Sequence, residues 1–357
     1  IEEPEQLMQL MLAHIGCKLP LRQTVEWVAE AGGPTCSHVT LHRKMRKSAP
    51  AFAALIRRLA DEKVLAPRER WCGYEIIALD GSVVVSPGPT GRGGRLHTAL
   101  RLADLAVVDA HVTTTDGGET LRRFEWAPGQ LVVGDRGYAN PPGIAHVVAS
   151  GADALIRVNR GSLPMYGTDG KKVDVLAWVR ALKGGAATEC DVEVRSADGQ
   201  VIEGRLVAKR APKERLAAAR ERARREHGAD ADALEMAEWV VVFTTAAKHR
   251  MTPSQVMETY RLRWQVELLF KRWKSLCDLD KLPNYRKDTL VTWLTGKLLL
   301  LLCTEKMVNA ARPAFSPLPN QEAAARHLWL TLRAATMEGL VHGVARDRVG
   351  AAALTPT

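Results

Sequence analysis

A chain of 357 residues, 46% hydrophobic and 25% charged, has the length and balance of an ordinary globular protein with more than one structural unit, which excludes a disordered or low-complexity polymer. Fifty Lys and Arg against forty Asp and Glu give a net charge of +10, which favours a polyanionic partner. Six scattered cysteines without a Cys-x2-Cys pair argue against a disulfide framework or zinc site and fit a reducing compartment, and the longest apolar run, LLLLLC at 298–303, is too short for a bilayer.

Residues 1–66 read as helices, the first unit of the chain. One of them, opening at Ser37 or Thr40 after a Gly-Gly-Pro turn, carries Arg43, Lys44, Arg46 and Lys47. It is shaped like the recognition helix of a helix-turn-helix, and a merely solvated basic helix is the alternative. From residue 74 the period changes. YEIIALDGSVVV, RLHTALRLA and LAVVDAHVTT read as three antiparallel strands; a short helix in GETLRRFEW, a strand in QLVVGDRGY, a helix near 142–150 and a strand in DALIRVN follow. The order βββαβαβ over 67–160 points to an α/β core with a mixed sheet of ribonuclease-H type.

Residues 161–250 read as a β-rich insertion, with a hairpin of ECDVEVRS and VIEGRLVAKR, a charged helix near 212–227 and the strand EWVVVFTT. Trp178 in this segment is either a base-stacking residue or a core residue. Helices resume over 251–310, completing the core, and 311–357 reads as a helical C-terminal region that includes QEAAARHLWLTLRAATMEGL.

The stretch YRLRWQVELLFKRWK, 260–274, is the most informative. Thr252, Pro253 and Gln255 supply the start of a helix, as N-cap, first helical position and capping-box partner. Wound as one α-helix, Tyr260, Arg263, Glu267 and Lys274 share a stripe about 60° wide, while Leu262, Val266, Leu269, Trp273 and Leu276 take the opposite side. Arg263, Glu267 and Lys271 could form nothing more than a solvated ion-pair ladder. Two further acids decide against that reading. Asp80 and Asp135 each end an apolar strand, and in a ribonuclease-H sheet those two strands are neighbours. Three carboxylates around one point repel unless a cation neutralises them, and oxygen-only ligation suits Mg²⁺ or Mn²⁺ and phosphoryl transfer. Arg263 and Lys274 would then hold phosphates, and Tyr260 would stack on or hydrogen-bond to the strand.

With these motifs in place the chain resembles the insertion-sequence-4 type of DDE transposase. Tyr260, Arg263, Glu267 and Lys274 match that family's Tyr-x2-Arg-x3-Glu-x6-Lys signature, LDGS around Asp80 and GDRGY around Asp135 are similar to its two Asp motifs, and GADALIRVN places Arg157 at its basic position. The resemblance covers roughly 74–310. It implies a ribonuclease-H-like core interrupted by a β-rich insertion, with Asp80, Asp135 and Glu267 as catalytic metal ligands for two Mg²⁺ ions, replaceable by Mn²⁺. It also implies cut-and-paste transposition by a homodimer bridged by double-stranded DNA, first the terminal inverted repeats and then the target, on the nucleoid in the bacterial cytoplasm. End recognition by the basic helix is the least specific part of the resemblance. A related metal-dependent nuclease without integration, or a DNA-binding regulator that lost catalysis, are the competing readings; the three intact acids argue against the regulator.

Overall fold

The chain's geometry comes from a computed structural model, which describes residues 3–311 apart from 62–69, 86–92, 159, 183–184, 197–198, 228–229 and 284–285. Four helices open it: α1 (Pro4–Cys17), α2 (Leu21–Glu30), α3 (His38–Met45) and α4 (Ala49–Asp61). Ser37 caps α3 by accepting from the Thr40 N–H, and the chain then bends at Ser48 rather than continuing as one long helix. Three strands follow, β1 (Glu75–Val85), β2 (Gly93–Arg101) and β3 (Ala106–Thr114), paired antiparallel in sequence order. Next come β4 (Gln130–Gly134), α5 (Pro141–Ala149) and β5 (Asp153–Arg157). β4 runs parallel to β1, and β5 parallel to β4. The order β3-β2-β1-β4-β5, antiparallel on one side of β1 and parallel on the other, is the ribonuclease-H-like arrangement expected from the sequence.

The segment after β5 contains β6 (Met165–Tyr166), α6 (Val175–Ala181), β7 (Thr188–Arg195), β8 (Val201–Arg210), α7 (Lys213–His227), α8 (Ala231–Met236) and β9 (Trp239–Thr244). Its strands do not fold apart from the core. β9 pairs antiparallel with β5, and the sheet continues through β8 and β7 to β6, giving nine strands in all. Trp178 is half-buried against this core, the second of the two readings made for it. The expected helix in GETLRRFEW is absent. Thr120 caps a single 3₁₀ turn instead, Leu121–Arg123, with Leu121 and Phe124 both buried in the core.

Strand alternation divides the layers. Ile77, Leu79, Val132, Ala154, Ile156, Leu206 and Phe243 face α5 and α6. Ile76, Leu131, Val133, Leu155, Val207 and Val242 face α9 (Pro253–Leu262). On the same side, further along, Ala78, Leu96 and Ala110 meet α10 (Trp264–Cys277), α11 (Lys287–Ala311) and the N-terminal helices. Gly296 of α11 is where the first and last helices approach: a Cβ there would lie 2.5 Å from Ile15 Cδ1 and 3.2 Å from Phe52 Cε2. No described helix is long and apolar enough to cross a membrane. The expected helices of the C-terminal region beyond Ala311 lie outside the described residues.

Candidate active site

The two aspartates meet through register. Ala78 on β1 is opposite Val133 on β4, so two residues on, Asp80 and Asp135 stand side by side on the face that meets α9 and α10. Val133 is in turn opposite Leu155, which brings Arg157 at the end of β5 alongside Asp135. Each Asp accepts from a backbone N–H just after it: Asp80 Oδ1 from Gly81 at 3.0 Å, and Asp135 Oδ1, in the turn after β4, from Gly137 at 2.9 Å. Asp80 does not end its strand as expected: β1 runs on to Val85 because β2 keeps pairing with it, and only the pairing with β4 stops at Ala78.

Glu267 arrives from above on a helix that differs from expectation. The capping box of Thr252 and Gln255 starts α9, but the helix does not run through to Cys277. At Arg263 the ladder tightens: its N–H bonds to the Tyr260 carbonyl, and the Val266 N–H to the Arg263 carbonyl, three residues back in each case. The axis therefore changes phase, and one wheel cannot describe both halves. Leu262, expected on the buried side, is exposed; Tyr260, expected on the polar stripe, is buried in the α9 core. Val266, Leu269 and Trp273 are buried as the wheel requires. The break also puts Glu267 in the first turn of α10, where the helix N-terminus favours its negative charge. Deeper in α10, the orientation is locked to α11. Arg272 forks onto Glu305 at 3.0 and 3.1 Å, and Trp273 Nε1 donates to the same carboxylate at 3.1 Å.

Arg263 joins the acids. Its guanidinium is ion-paired with Glu267, lies 3.9 Å from Asp80 and is largely buried, with Nε and Nη1 lacking hydrogen-bond partners among the described residues. Its Cζ is 5.9 Å from the Tyr260 ring centroid, so Tyr260 backs the arginine from the core side. Beyond it opens a cleft of about 460 Å³ lined by Asp80, Ser82, Glu267, Lys271, Lys274 and Asp280. Arg43, Lys44 and Lys47, the expected DNA contacts of the N-terminal unit, are exposed on or just after α3. Arg46 instead holds Asp288 of α11 at 2.5 Å. Sequence reasoning missed Glu119, whose carboxylate lies beside Gly81 and Gly137, just after the two aspartates, and near Arg95.

As it stands, no three Asp, Glu, His or Cys side chains among the described residues converge into a metal cage. The electrostatics nevertheless fit a divalent cation. Burial pushes the Asp80 carboxyl up to about 7, opposed by the Arg263 charge and the Gly81 N–H and reinforced by Asp135 and Glu267. An oxygen-only set that carries excess negative charge beside a single guanidinium is the ligand chemistry of Mg²⁺ or Mn²⁺.

One consequence is a stability cost in the metal-free protein. Because folding raises the Asp80 value above its ordinary 3.8, stability falls as pH rises from about 4 to about 7. Asp80→Asn removes that penalty. In chelator at pH 8 it should exceed the wild type by roughly 2–4 kcal/mol in urea unfolding, with the gap closing towards pH 4. Equal stability at pH 8 would mean that Asp80 is not held ionised against its surroundings.

Comparison with known proteins places this geometry. Residues 71–303 match the family described as the transposase DDE domain. The transposase for insertion sequence element IS421 of Escherichia coli is 27% identical over 322 residues, covering 87% of this chain and 86% of that protein. The transposase for IS231F of Bacillus thuringiensis subsp. israelensis is 27% identical over 210 residues, 53% of this chain and 43% of that one. Among solved structures, the piggyBac transposase synaptic complex with hairpin DNA aligns with a TM-score of 0.42 and 11% identity, over 79% of this chain and 55% of that chain. The family match runs over most of the chain, from ahead of β1 into α11, and takes in both aspartates and the glutamate: the chain belongs to the DDE transposases.

Proposed function

We propose that this protein is the transposase of an insertion sequence of the insertion-sequence-4 type, with Asp80, Asp135 and Glu267 as its catalytic acids. The observation that supports the assignment is the side-by-side register of Asp80 and Asp135, with Glu267 linked to Asp80 through their shared partner Arg263. These carboxylates would hold two Mg²⁺ or Mn²⁺ ions. When bound, such ions supply Lewis acidity that activates the attacking oxygen and stabilises the leaving one. The residues of the chain do the rest. Arg263 gives up its carboxylate partners for a phosphate of the element end, which frees Glu267 to turn towards Asp80. Lys274 and Lys271 hold the backbone along the cleft. Tyr260 fixes the plane of Arg263 from the core side, and Arg157 contacts the strand next to Asp135.

Hydrolysis at the terminal repeat leaves a 3′-OH, and that hydroxyl then attacks a target phosphodiester in the same acid cluster. Double-stranded DNA is the partner in both steps, and a DNA-bridged homodimer presents two ends together. Residues 1–66 form the end-reading unit, with Arg43, Lys44 and Lys47 on its exposed basic surface. Purified protein incubated with Mg²⁺, an end-bearing oligonucleotide and a supercoiled plasmid tests the reading. Joined products support transposition; nicking without joining reduces it to a nuclease. Lys274→Ala should lower the slope of log K against log salt by about one phosphate contact. An unchanged slope would leave Lys274 a solvated residue.

A further inference from the structure

Glu119 enters the site from the opposite face of the sheet. It precedes the Leu121–Arg123 turn, whose core partners lie on the α5 side, yet its carboxylate reaches the backbone just after both aspartates, at Gly81 of β1 and Gly137 of the turn after β4. A Cβ on Gly81, the residue after Asp80, would lie 2.6 Å from Glu119 Oε1. One on Gly137, two residues after Asp135, would lie 2.0 Å from Oε2 and 3.2 Å from Asp135 Oδ1. Neither glycine has a positive φ, so what these positions require is room rather than a left-handed backbone. The carboxylate thus occupies the space left by the missing side chains of both glycines.

Its one ion pair in this neighbourhood is loose: Arg95 Nη1 is 3.6 Å away, and Arg95 Nε is buried without a hydrogen-bond partner among the described residues. A separate observation marks the same spot. The Tyr138 side chain is fully buried, its hydroxyl has no hydrogen-bond partner among the described residues, and the charges it feels most are those of Glu119, Asp80 and Asp135. A buried hydroxyl without a partner, close enough to these acids to be raised by their charges, is a polar group that the protein's own hydrogen bonds leave over.

We propose that Glu119 is a fourth carboxylate of the divalent-cation site, acting on the Asp135 side while Glu267 acts on the Asp80 side. The proposal rests on the assignment of Asp80 and Asp135 as ligands. On this account Glu119 leaves Arg95 when a cation is loaded, and the freed guanidinium faces DNA phosphate.

The test is Mn²⁺ binding to the full-length protein, followed by electron paramagnetic resonance and calorimetry without DNA. Glu119→Gln keeps the shape and removes the charge, and should weaken the Mn²⁺ affinity tenfold or more, the scale of a lost ligand-shell contact. Gly137→Ala leaves the carboxylate in the chain but displaces it, and should weaken Mn²⁺ in the same direction; it also serves if Glu119→Gln fails to fold. Asp135→Ala is the reference. If it abolishes Mn²⁺ binding while both other variants bind as the wild type does, Glu119 is only the partner of Arg95 and the inference is overturned. If Asp135→Ala also binds Mn²⁺ normally, the acid-site assignment itself fails.

Discussion

Asp80→Ala, Asp135→Ala and Glu267→Ala should each reduce Mg²⁺-dependent cleavage of element ends by at least roughly 10³-fold, the scale on which removing one stabiliser of transition-state charge acts. The three should be alike although their surroundings differ. Asp80 is mostly buried between β2 and β4, whereas Glu267 is half-exposed and tied to Arg263. Equal losses would therefore report a shared task rather than shared packing. Folding should survive in all three, and Asp80→Ala should be no less stable than the wild type in chelator, because the carboxylate it removes is held against desolvation. DNA binding should also persist, since removing a negative charge from a cleft that faces phosphates cannot weaken Coulombic attraction. The measurement is nicking of an end-bearing supercoiled plasmid, beside binding of the same DNA. A variant that retained near-normal nicking would remove its residue from the site.

A second large effect is expected far from the acids. Arg205 of β8 is buried beneath the connection that leads from β9 into α9. Its Nε donates to the Ala246 carbonyl at 3.1 Å, one Nη donates to the Met251 carbonyl at 2.6 Å, and the other pairs with Glu189. These bonds satisfy two carbonyls just ahead of the Thr252 cap, and so aim the helix pair that carries Glu267. Arg205→Ala strands both carbonyls and leaves Glu189 only its distant Lys248 partner, and should cost about 3–5 kcal/mol. Against a typical total of about 5–15 kcal/mol, that shifts the urea midpoint far down. Arg205→Lys should recover only part of the loss, because an ammonium lacks the planar fork that serves three acceptors. A midpoint within experimental error of the wild type for Arg205→Ala would show that the connector is held by other contacts.

The parts of the site legible in the sequence are those set by local period. An apolar strand that ends in Asp announces an acid at the rim of a sheet, and Asp135 stands where that pattern puts it, whereas Asp80 lies midway along β1 and only the pairing with β4 stops short of it. The order of strands and helices then made them neighbours. The Thr252 cap was equally readable, because its partners lie within three residues. What failed was phase across a break: nothing in RLRW signals the tightened turn at Arg263, which sent Tyr260 into the core and Leu262 out of it. The extension of the sheet by β9, β8, β7 and β6 was hidden as well, since a hairpin's sequence is the same whether it pairs with itself or with a distant strand. Glu119 was invisible for a related reason. Nothing in the sequence ties it to Gly81 and Gly137, and only the fold reveals that their missing side chains leave space for a carboxylate.

The packing of α1 and α4 against Gly296 has a consequence for the time course of synthesis. α1 and α4 pack on α2, α3 and β3 earlier, but their packing is completed only when α11, more than 230 residues further along, has been made. Glu267 follows Asp80 by roughly 190 residues, which at about 5–20 residues per second is some ten to forty seconds of translation. Long-range closure of this kind folds slowly, because chain entropy is lost before the contacts that repay it can form.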